Sequence, residues 1–213
     1  MARGKLIVLE GVCGSGKSTA ARYILQELQD HGHDAVYNHG ASTYTETGRR
    51  FRELTRSLPA ELSCAYYVAD LLQDTLRQIR PRLDAGITVV QDRYIHSITS
   101  YVVARSQRSE RPLDIRPVID LYTELGLFEI PAVTIWCKAP RDLIVTRLSA
   151  AEPSRMHRQF TEDPMFIDQV QAGFEHVLPG DSRSIAVETH LPGELEKPSY
   201  PRLLEAMSDL NLC

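Results

Sequence analysis

The chain has 213 residues, of which 43% are hydrophobic and 24% are charged, a composition typical of a soluble globular protein of about one α/β domain. The formal net charge of −4 excludes an overall basic surface for nucleic acid or for an anionic membrane. No apolar run approaches the ~20 residues that cross a bilayer, and the apolar run before Glu10 is too short for a secretory signal. We therefore expect a cytoplasmic protein that binds neither nucleic acid nor membrane.

Short apolar strands alternate with helices along the chain. Strands are predicted at residues 6–9, 36–38, 87–90, 133–137 and 185–187. Helices are predicted at residues 20–28, 47–58, 61–79 (ending near Pro81), 95–105, 114–125, 142–148, 164–178 and 201–210. Because each strand is continuously apolar, both of its faces should be covered. This pattern predicts an α/β fold with a parallel sheet of about five strands and helices on both faces. No linker divides residues 1–213, so a single domain is expected.

A glycine-rich string between the first strand and the first helix matches the phosphate-binding pattern G-x-x-x-x-G-K-[ST]. It reads Gly11-Val12-Cys13-Gly14-Ser15-Gly16-Lys17-Ser18. The strand before it and the helix after it are the context in which this pattern binds phosphates through backbone N–H groups. Lys17 would reach the outer phosphates, and the Ser18 hydroxyl would ligate Mg²⁺. The sequence therefore predicts a nucleotide site in a P-loop NTPase-type fold.

A second polar cluster, Gln91-Asp92-Arg93-Tyr94, follows the predicted strand at residues 87–90. Asp92 could hold Mg²⁺ or take a proton from an attacking hydroxyl, and Arg93 offers a rigid fork for a phosphate. The alternative is a structural Asp–Arg pair at a strand end. Ligands of parallel sheets bind beyond the carboxyl ends of the strands, where the glycine-rich loop also lies, and this shared edge favours the functional interpretation.

Further arginines lie in the second half of the chain. Residues 150–163 form a polar segment that is predicted to be a mobile lid, and it contains Arg155 and Arg158. These two side chains could stabilise the transferring phosphoryl group, or they could belong to a solvated basic loop. Arg141 and Arg147 could serve the adenine side of the nucleotide or surface ion pairs.

Together these residues resemble the thymidylate kinase family, within the wider group of nucleoside monophosphate and deoxynucleoside kinases. The matching segments are Leu9-Glu10-Gly11…Gly16-Lys17-Ser18-Thr19, Asp92-Arg93-Tyr94-Ile95-His96-Ser97 with Tyr101, and Pro131-Ala132-Val133-Thr134-Ile135-Trp136 with Pro140 and Arg147. The resemblance implies phosphoryl transfer from ATP, with Mg²⁺, to a small-molecule acceptor, usually in a homodimer. The first-choice acceptor is dTMP or a related nucleoside monophosphate.

The motifs and the resemblance together predict the site residues. The residues assigned to ATP are Gly11, Cys13, Gly14, Ser15, Gly16, Lys17, Ser18, Thr19 and Arg147. Those assigned to catalysis are Lys17, Asp92, Arg93, Arg155 and Arg158, with Ser18 and Asp92 on the metal. Those assigned to the acceptor are Tyr67, Leu71, Arg93 and Tyr101. By resemblance, Tyr67 stacks on the acceptor base and Tyr101 lies beside its sugar, although Tyr67 could instead be a core residue.

Several positions depart from the family pattern. Cys13 stands where the family has Asp, Gly40-Ala41-Ser42 lacks its R-E-P string, Leu71 replaces an arginine, and Val102 replaces a glutamine. A phosphate left without cations in a cleft is costly, because its lost hydration is not replaced.

The lost cations leave alternatives open. Either other arginines substitute for them, with Arg49, Arg50 and Arg52 as candidates, or the acceptor is a hydroxyl of a nucleoside or another small molecule. A third alternative is a nucleotide-binding subunit that transfers nothing. The chain has no N-K-x-D string of guanine-specific switch proteins and no evident glutamine to orient a water, which argues against a GTPase or ATPase.

Overall fold

The backbone is built on a parallel β-sheet, seen in a computed structural model that describes residues 2–39, 46, 48–50, 58–106, 113–151, 160–189, 205, 207–209 and 212. The sheet has the strand order β2-β3-β1-β4-β5, and every neighbouring pair is parallel. The strands are β1 (Leu6–Glu10), β2 (Ala35–Asn38), β3 (Thr88–Asp92), β4 (Val133–Lys138) and β5 (Ser184–Glu188). The predicted five-stranded parallel sheet is confirmed.

Helices connect the strands. They are α1 (Lys17–Asp30), α2 (Ala60–Asp74), α3 (Arg80–Asp84), α4 (Ile95–Ser106), α5 (Arg116–Glu124), α6 (Arg141–Ala150) and α7 (Pro164–Val177). A 3₁₀ turn at Leu178–Gly180 follows α7. The helix predicted at 47–58 lies partly outside the described residues, and residues 48–50 are helical. Most of the helix predicted at 201–210 also lies outside them.

Both faces of the sheet are covered, as the apolar strands predicted. Ile7 and Leu9 of β1 pack in one core cluster with the apolar side of α1. Leu6 and Val8, which alternate with them and point to the other face, pack with residues of α2 and α4. All four of these side chains are at most 2% exposed. The central strand is therefore held from both sides, which fixes its carboxyl end for the site.

The helix around Pro81 differs from its prediction. Pro81 was expected to end the helix that begins near residue 61, but α3 continues through it to Asp84. A π-helical turn at Thr75–Ile79 joins α2 to α3. In a regular α-helix, a proline lacks the N–H for its i−4 carbonyl and its ring clashes with that carbonyl. The wider π turn precedes Pro81, which occupies the first turn of α3, where its missing N–H costs little.

The order of the strands locates the ligand-binding edge. From β1 the chain crosses to β2 and β3 on one side, and later to β4 and β5 on the other. The carboxyl end of β1 is thus the point at which the connections diverge, where doubly wound sheets bind ligands. Within the described residues, no helix is long and apolar enough to cross a membrane.

Candidate functional site

The glycine-rich loop lies between β1 and α1, where the pattern predicted it. Gly11 has a φ of 134°, and a Cβ there would lie 2.4 Å from the carbonyl oxygen of Cys137, so no side chain fits. Gly16 precedes α1 with a φ of 92°, a left-handed conformation that glycine adopts without strain. These two positions explain why the turn into the helix requires glycine.

The start of α1 has the features that suit a helix N-terminus to an anion. No side chain caps this N-terminus, and the first N–H groups of a helix have no carbonyl partners within it. The Lys17 ammonium donates to the carbonyl oxygens of Gly11 at 3.1 Å and Val12 at 2.9 Å, and thus lies at the mouth of the loop. Burial and the charge of Arg93 lower the pKa of Lys17, although the charge of Asp92 opposes them. A poorly solvated cation at this position gains strongly from a phosphate partner.

Asp92 ends β3 and is 4% exposed. Its Oδ2 accepts a hydrogen bond from the Tyr37 hydroxyl at 2.8 Å and lies 3.2 Å from Nδ1 of His39. Burial alone would raise the pKa of Asp92, but the charges of Lys17 and Arg93 and the hydrogen bond from His39 outweigh it and hold the pKa below its ordinary value. Asp92 is therefore an ionised carboxylate beside the loop.

Arg93 has a φ of 70°, which makes it the one non-glycine residue of the described chain in the left-handed region. Its guanidinium donates to the Gly11 carbonyl at 3.0 Å and to the Ser97 hydroxyl at 3.3 Å, and it lies 5.1 Å from the Tyr101 ring centroid. Burial opposes its charge, but Tyr101, Cys13 and Asp92 together raise the pKa of Arg93. The structure thus brings Arg93, Asp92 and the glycine-rich loop to one edge, as predicted.

Glu10 is a site residue that is absent from the sequence predictions. It is fully buried, and its Oε1 accepts hydrogen bonds at 3.0 Å from the backbone N–H groups of Tyr94 and Ser97. Its Oε2 accepts a hydrogen bond from the Ser97 hydroxyl. The carboxylate therefore satisfies N–H groups at the start of α4 and ties β1 to the segment after β3. The available signal was a carboxylate inside an apolar stretch, which is costly to bury without partners.

Arg147 and Thr189 hold the glycine-rich loop from the opposite side. The Arg147 guanidinium donates to the carbonyl oxygens of Gly14 at 3.1 Å and Thr189 at 2.7 Å. The Thr189 hydroxyl lies 2.6 Å from the carbonyl oxygen of Ser15 and donates to it. Arg147 thus contacts the backbone of the loop predicted to bind ATP. Thr189 follows β5 directly and is not among the residues predicted from sequence.

Replacing Thr189 with valine is expected to raise the KM for ATP about three- to tenfold. The change preserves shape but removes a hydroxyl that lies within hydrogen-bond distance of the Ser15 and Lys138 carbonyls. A hydrogen bond of this kind is worth roughly 0.5–1.5 kcal/mol, and its loss should loosen the loop. The KM for the phosphoryl acceptor should stay within about twofold, because the contact lies on the ATP side of the loop. Steady-state kinetics with each substrate varied in turn measures both. Thr146→Val removes a threonine hydroxyl from an exposed position on α6 and serves as the matched control. An unchanged KM for ATP would contradict this role of Thr189.

The predicted acceptor residues lie on two elements. Tyr67 on α2 is partly buried and packs against the core cluster of the β1–α2 face. Leu71, one helical turn later, is 7% exposed in that same cluster, so its position offers no cation to a phosphate. Tyr101 on α4 packs edge-on against Phe160 and Phe166, with its ring beside Arg93.

The remaining predicted arginines are only partly described. Arg155 and Arg158 lie outside the described residues, as does Arg52. Arg50 forms an exposed pair with Glu46 at 2.6 Å, and Arg49 is exposed. Among the candidate cations for a phosphate acceptor, Arg93 is the one that the described structure places beside the loop.

The residues near the loop fit a magnesium ion brought by a nucleotide. Oδ1 of Asp92 is buried and has no hydrogen-bond partner within the described residues. The Ser18 hydroxyl is on an exposed residue at the start of α1, and the Tyr37 hydroxyl interacts with both Ser18 and Asp92. Hydroxyl and carboxylate oxygens are the protein ligands that Mg²⁺ prefers, and it takes few of them when phosphates supply the rest. The described part of the chain holds no cluster of three or more His, Cys, Asp or Glu that could bind a metal by itself.

Comparisons with known proteins agree with this geometry. A family model described as thymidylate kinase matches residues 9–196. The thymidylate kinase of Carboxydothermus hydrogenoformans is 30% identical over 177 residues, which cover 81% of this chain and 83% of that protein. The thymidylate kinase of Brachyspira hyodysenteriae is 35% identical over 105 residues, or 48% of this chain and 51% of that protein.

A solved structure supports this fold. The structure of a thymidylate kinase from Candida albicans matches with a TM-score of 0.74, covering 100% of this chain and 94% of that one. The sequence identity of that pair is 19%, so the match concerns the architecture of the sheet and its helices.

Proposed function

Because this chain belongs to the thymidylate kinase family, we propose that it transfers the γ-phosphoryl group of ATP to a nucleoside monophosphate, with dTMP as the first-choice acceptor. The observation that carries the proposal is the meeting of Lys17, Asp92 and Arg93 at the carboxyl edge of β1 and β3. These residues supply positioning and charge, which is what phosphoryl transfer asks of a protein.

The donor side uses the glycine-rich loop. Its N–H groups and the start of α1 bind the phosphates of ATP, and the Lys17 ammonium exchanges the Gly11 and Val12 carbonyls for phosphate oxygens. Arg147 and Thr189 keep the loop in shape while this happens. Mg²⁺, held by Ser18 and Asp92, would neutralise charge on the phosphates and align them.

The state of Asp92 bears on the type of acceptor. A hydroxyl acceptor needs a base to take its proton, and a good base has a pKa near the working pH. The pKa of Asp92 is held below its ordinary value, which makes this carboxylate a weak base. An acceptor phosphate loses its second proton with a pKa near 6, so at neutral pH its oxygen attacks without one. Asp92 then serves as a fixed negative charge for the metal, and an acceptor phosphate requires no proton transfer from it.

Arg93 is the cation that we assign to the acceptor side. Its raised pKa keeps it positively charged. Contacts with Gly11, Ser97 and Tyr101 fix its guanidinium at the edge of the sheet where the transferring group would pass. A cation there stabilises the negative charge that the two phosphates bring together. Arg155 and Arg158 of the predicted lid are proposed to complete this charge from the ATP side.

We propose that the protein works in the cytoplasm and as a homodimer, as the family resemblance implies. Exposed apolar side chains at helical spacing on and just after α5, namely Val118, Leu121 and Leu125, support pairing with a second copy.

The function is tested by incubating the protein with ATP, Mg²⁺ and each of a panel of acceptors, and by separating the products by chromatography. The panel contains dTMP, other nucleoside monophosphates, thymidine and unrelated hydroxyl compounds, with Lys17→Met as the blank. One ADP and one dTDP should form per turnover with dTMP, and thymidine should give no product. Turnover with unphosphorylated acceptors alone would overturn the monophosphate assignment. Tight ATP binding without transfer to any acceptor would contradict the proposal that the protein is an enzyme.

A further inference from the structure

A chain of buried side-chain hydrogen bonds runs from α2 to the backbone of Arg93. Asn38, at the end of β2, donates through Nδ2 to Oδ2 of Asp74 at 2.8 Å and to Oε1 of Gln91 at 2.6 Å. Gln91 then donates through Nε2 to the carbonyl oxygen of Arg93 at 2.9 Å. The three side chains of this Asp74–Asn38–Gln91 relay are between 1% and 4% exposed.

The Arg82 guanidinium gives the relay a direction. It only donates hydrogen bonds, and it lies 3.3 Å from Oδ1 of Asn38, so the NH₂ group of Asn38 faces Asp74 and Gln91. Because Asn38 also donates to Gln91, the oxygen of Gln91 faces Asn38 and its NH₂ group faces Arg93. Besides a longer contact with the Asp92 carbonyl at 3.5 Å, a fixed donor is thereby aimed at the carbonyl of Arg93.

That carbonyl belongs to a residue in a strained conformation. A long side chain at a φ of 70° is uncommon, and such residues persist where their surroundings over-determine them. The Arg93 N–H donates to the Leu9 carbonyl at 2.9 Å, and the next N–H, of Tyr94, donates to Glu10 at 3.0 Å. The relay secures the carbonyl between these two groups, so every polar backbone atom around the Arg93–Tyr94 peptide has a partner.

We propose that Gln91 is a positioning residue for Arg93. The relay holds the Arg93 backbone in the left-handed conformation that sends its guanidinium toward the Gly11 carbonyl and the transferring phosphoryl group. Gln91 itself is 1% exposed and acts through Arg93 rather than on a substrate. The kinetic part of this inference rests on the proposed function.

The first test is Gln91→Met, which preserves length and burial but removes the donor to Arg93. We expect kcat to fall about tenfold and the KM for ATP to stay within about twofold, because a small misplacement of a charged group lowers the rate more than it lowers binding elsewhere. The control is Thr134→Val on the neighbouring strand β4. Thr134 is fully buried, and its hydroxyl has no hydrogen-bond partner within the described residues.

A double-mutant cycle separates positioning from general destabilisation. If Gln91 acts through Arg93, Gln91→Met should lower kcat by less than about twofold in an Arg93→Ala background. The same tenfold loss in both backgrounds would show that Gln91 contributes independently of Arg93 and would overturn the inference.

A spectroscopic readout needs no turnover, so it distinguishes failure of this inference from failure of the proposed function. The Arg93 Nε–H cross-peak is identified in a ¹⁵N spectrum by its loss in Arg93→Ala. It should shift or broaden in Gln91→Met and in the remote variant Asp74→Asn, and it should stay in place in Thr134→Val. An unmoved cross-peak in a folded Gln91→Met protein would overturn the role of the relay, whatever the acceptor proves to be.

Discussion

Replacing Lys17 with methionine is expected to lower kcat by at least about a thousandfold, which corresponds to roughly 4 kcal/mol of transition-state stabilisation. The lysine ammonium is the protein cation at the mouth of the loop on the donor side, and methionine matches its length without its charge. Charge that develops on the transferring group would then lose a fixed partner in a poorly solvated site. ADP formation with saturating substrates measures the effect.

The fold should survive this change, so the loss can be assigned to chemistry. Burying a charge is costly, and burial already lowers the pKa of Lys17, so methionine relieves one cost. The two loop carbonyls keep their other donors, which are Arg93 for Gly11 and the Ser15 N–H for Val12. We expect the free energy of unfolding to change by no more than about 1 kcal/mol. Lys5→Met, at the other end of β1, is the matched control and should retain kcat. A Lys17→Met enzyme within tenfold of the wild type would remove Lys17 from the mechanism.

Replacing Asp92 with asparagine is expected to lower kcat by about a hundred- to a thousandfold, since the variant loses the fixed negative charge that we propose faces the metal on ATP. The hydrogen bond with Tyr37 can persist, because the asparagine oxygen still accepts it. Higher Mg²⁺ concentrations should restore part of the activity. Asp114→Asn makes the same chemical change at an exposed carboxylate paired with Arg116 and should leave kcat unchanged. Full activity of Asp92→Asn at low Mg²⁺ would contradict this role.

The same variant tests the ionisation of Asp92 through stability. Because the folded-state pKa is depressed, the carboxylate contributes stability that is fully present above the unfolded-state value, about 4, and is lost as the pH falls through the folded-state value. The free energy of unfolding of the wild type should therefore decrease more steeply below about pH 4 than that of Asp92→Asn. Urea unfolding at a series of pH values measures both curves. Parallel curves would show that the pKa of Asp92 is not depressed.

Features that depend on contiguous residues were predictable from the sequence. The glycine-rich loop, the Asp92-Arg93 pair and the strands that carry them depend on spacing within one element, and a parallel sheet brings its carboxyl ends to one edge whatever the details of packing. The predicted end of the helix that begins near residue 61 was wrong. Proline was taken to terminate the helix, and the π-helical turn before Pro81 was not predicted.

Contacts between distant segments could not be predicted. Glu10 meets Tyr94 and Ser97 only when β3 lies beside β1, and Asn38 meets Asp74 only when α2 packs against the end of β2. Thr189 belongs to no recognisable motif, so the sequence around it does not indicate a partner near the start of the chain. Such polar pairs have no periodicity, so a single sequence carries no trace of them until the strand order is known.

The bond from Thr189 to Ser15 joins residues 174 positions apart. During synthesis the complete phosphate-binding motif leaves the ribosome first. The hydrogen bond from Thr189 to its loop forms only after β5 has joined the sheet. β1 also cannot pair within the sheet until β3 and β4 have been synthesised, because both of its neighbours come from later segments of the chain. Full nucleotide affinity is therefore expected only late in folding, once β5 has joined the sheet.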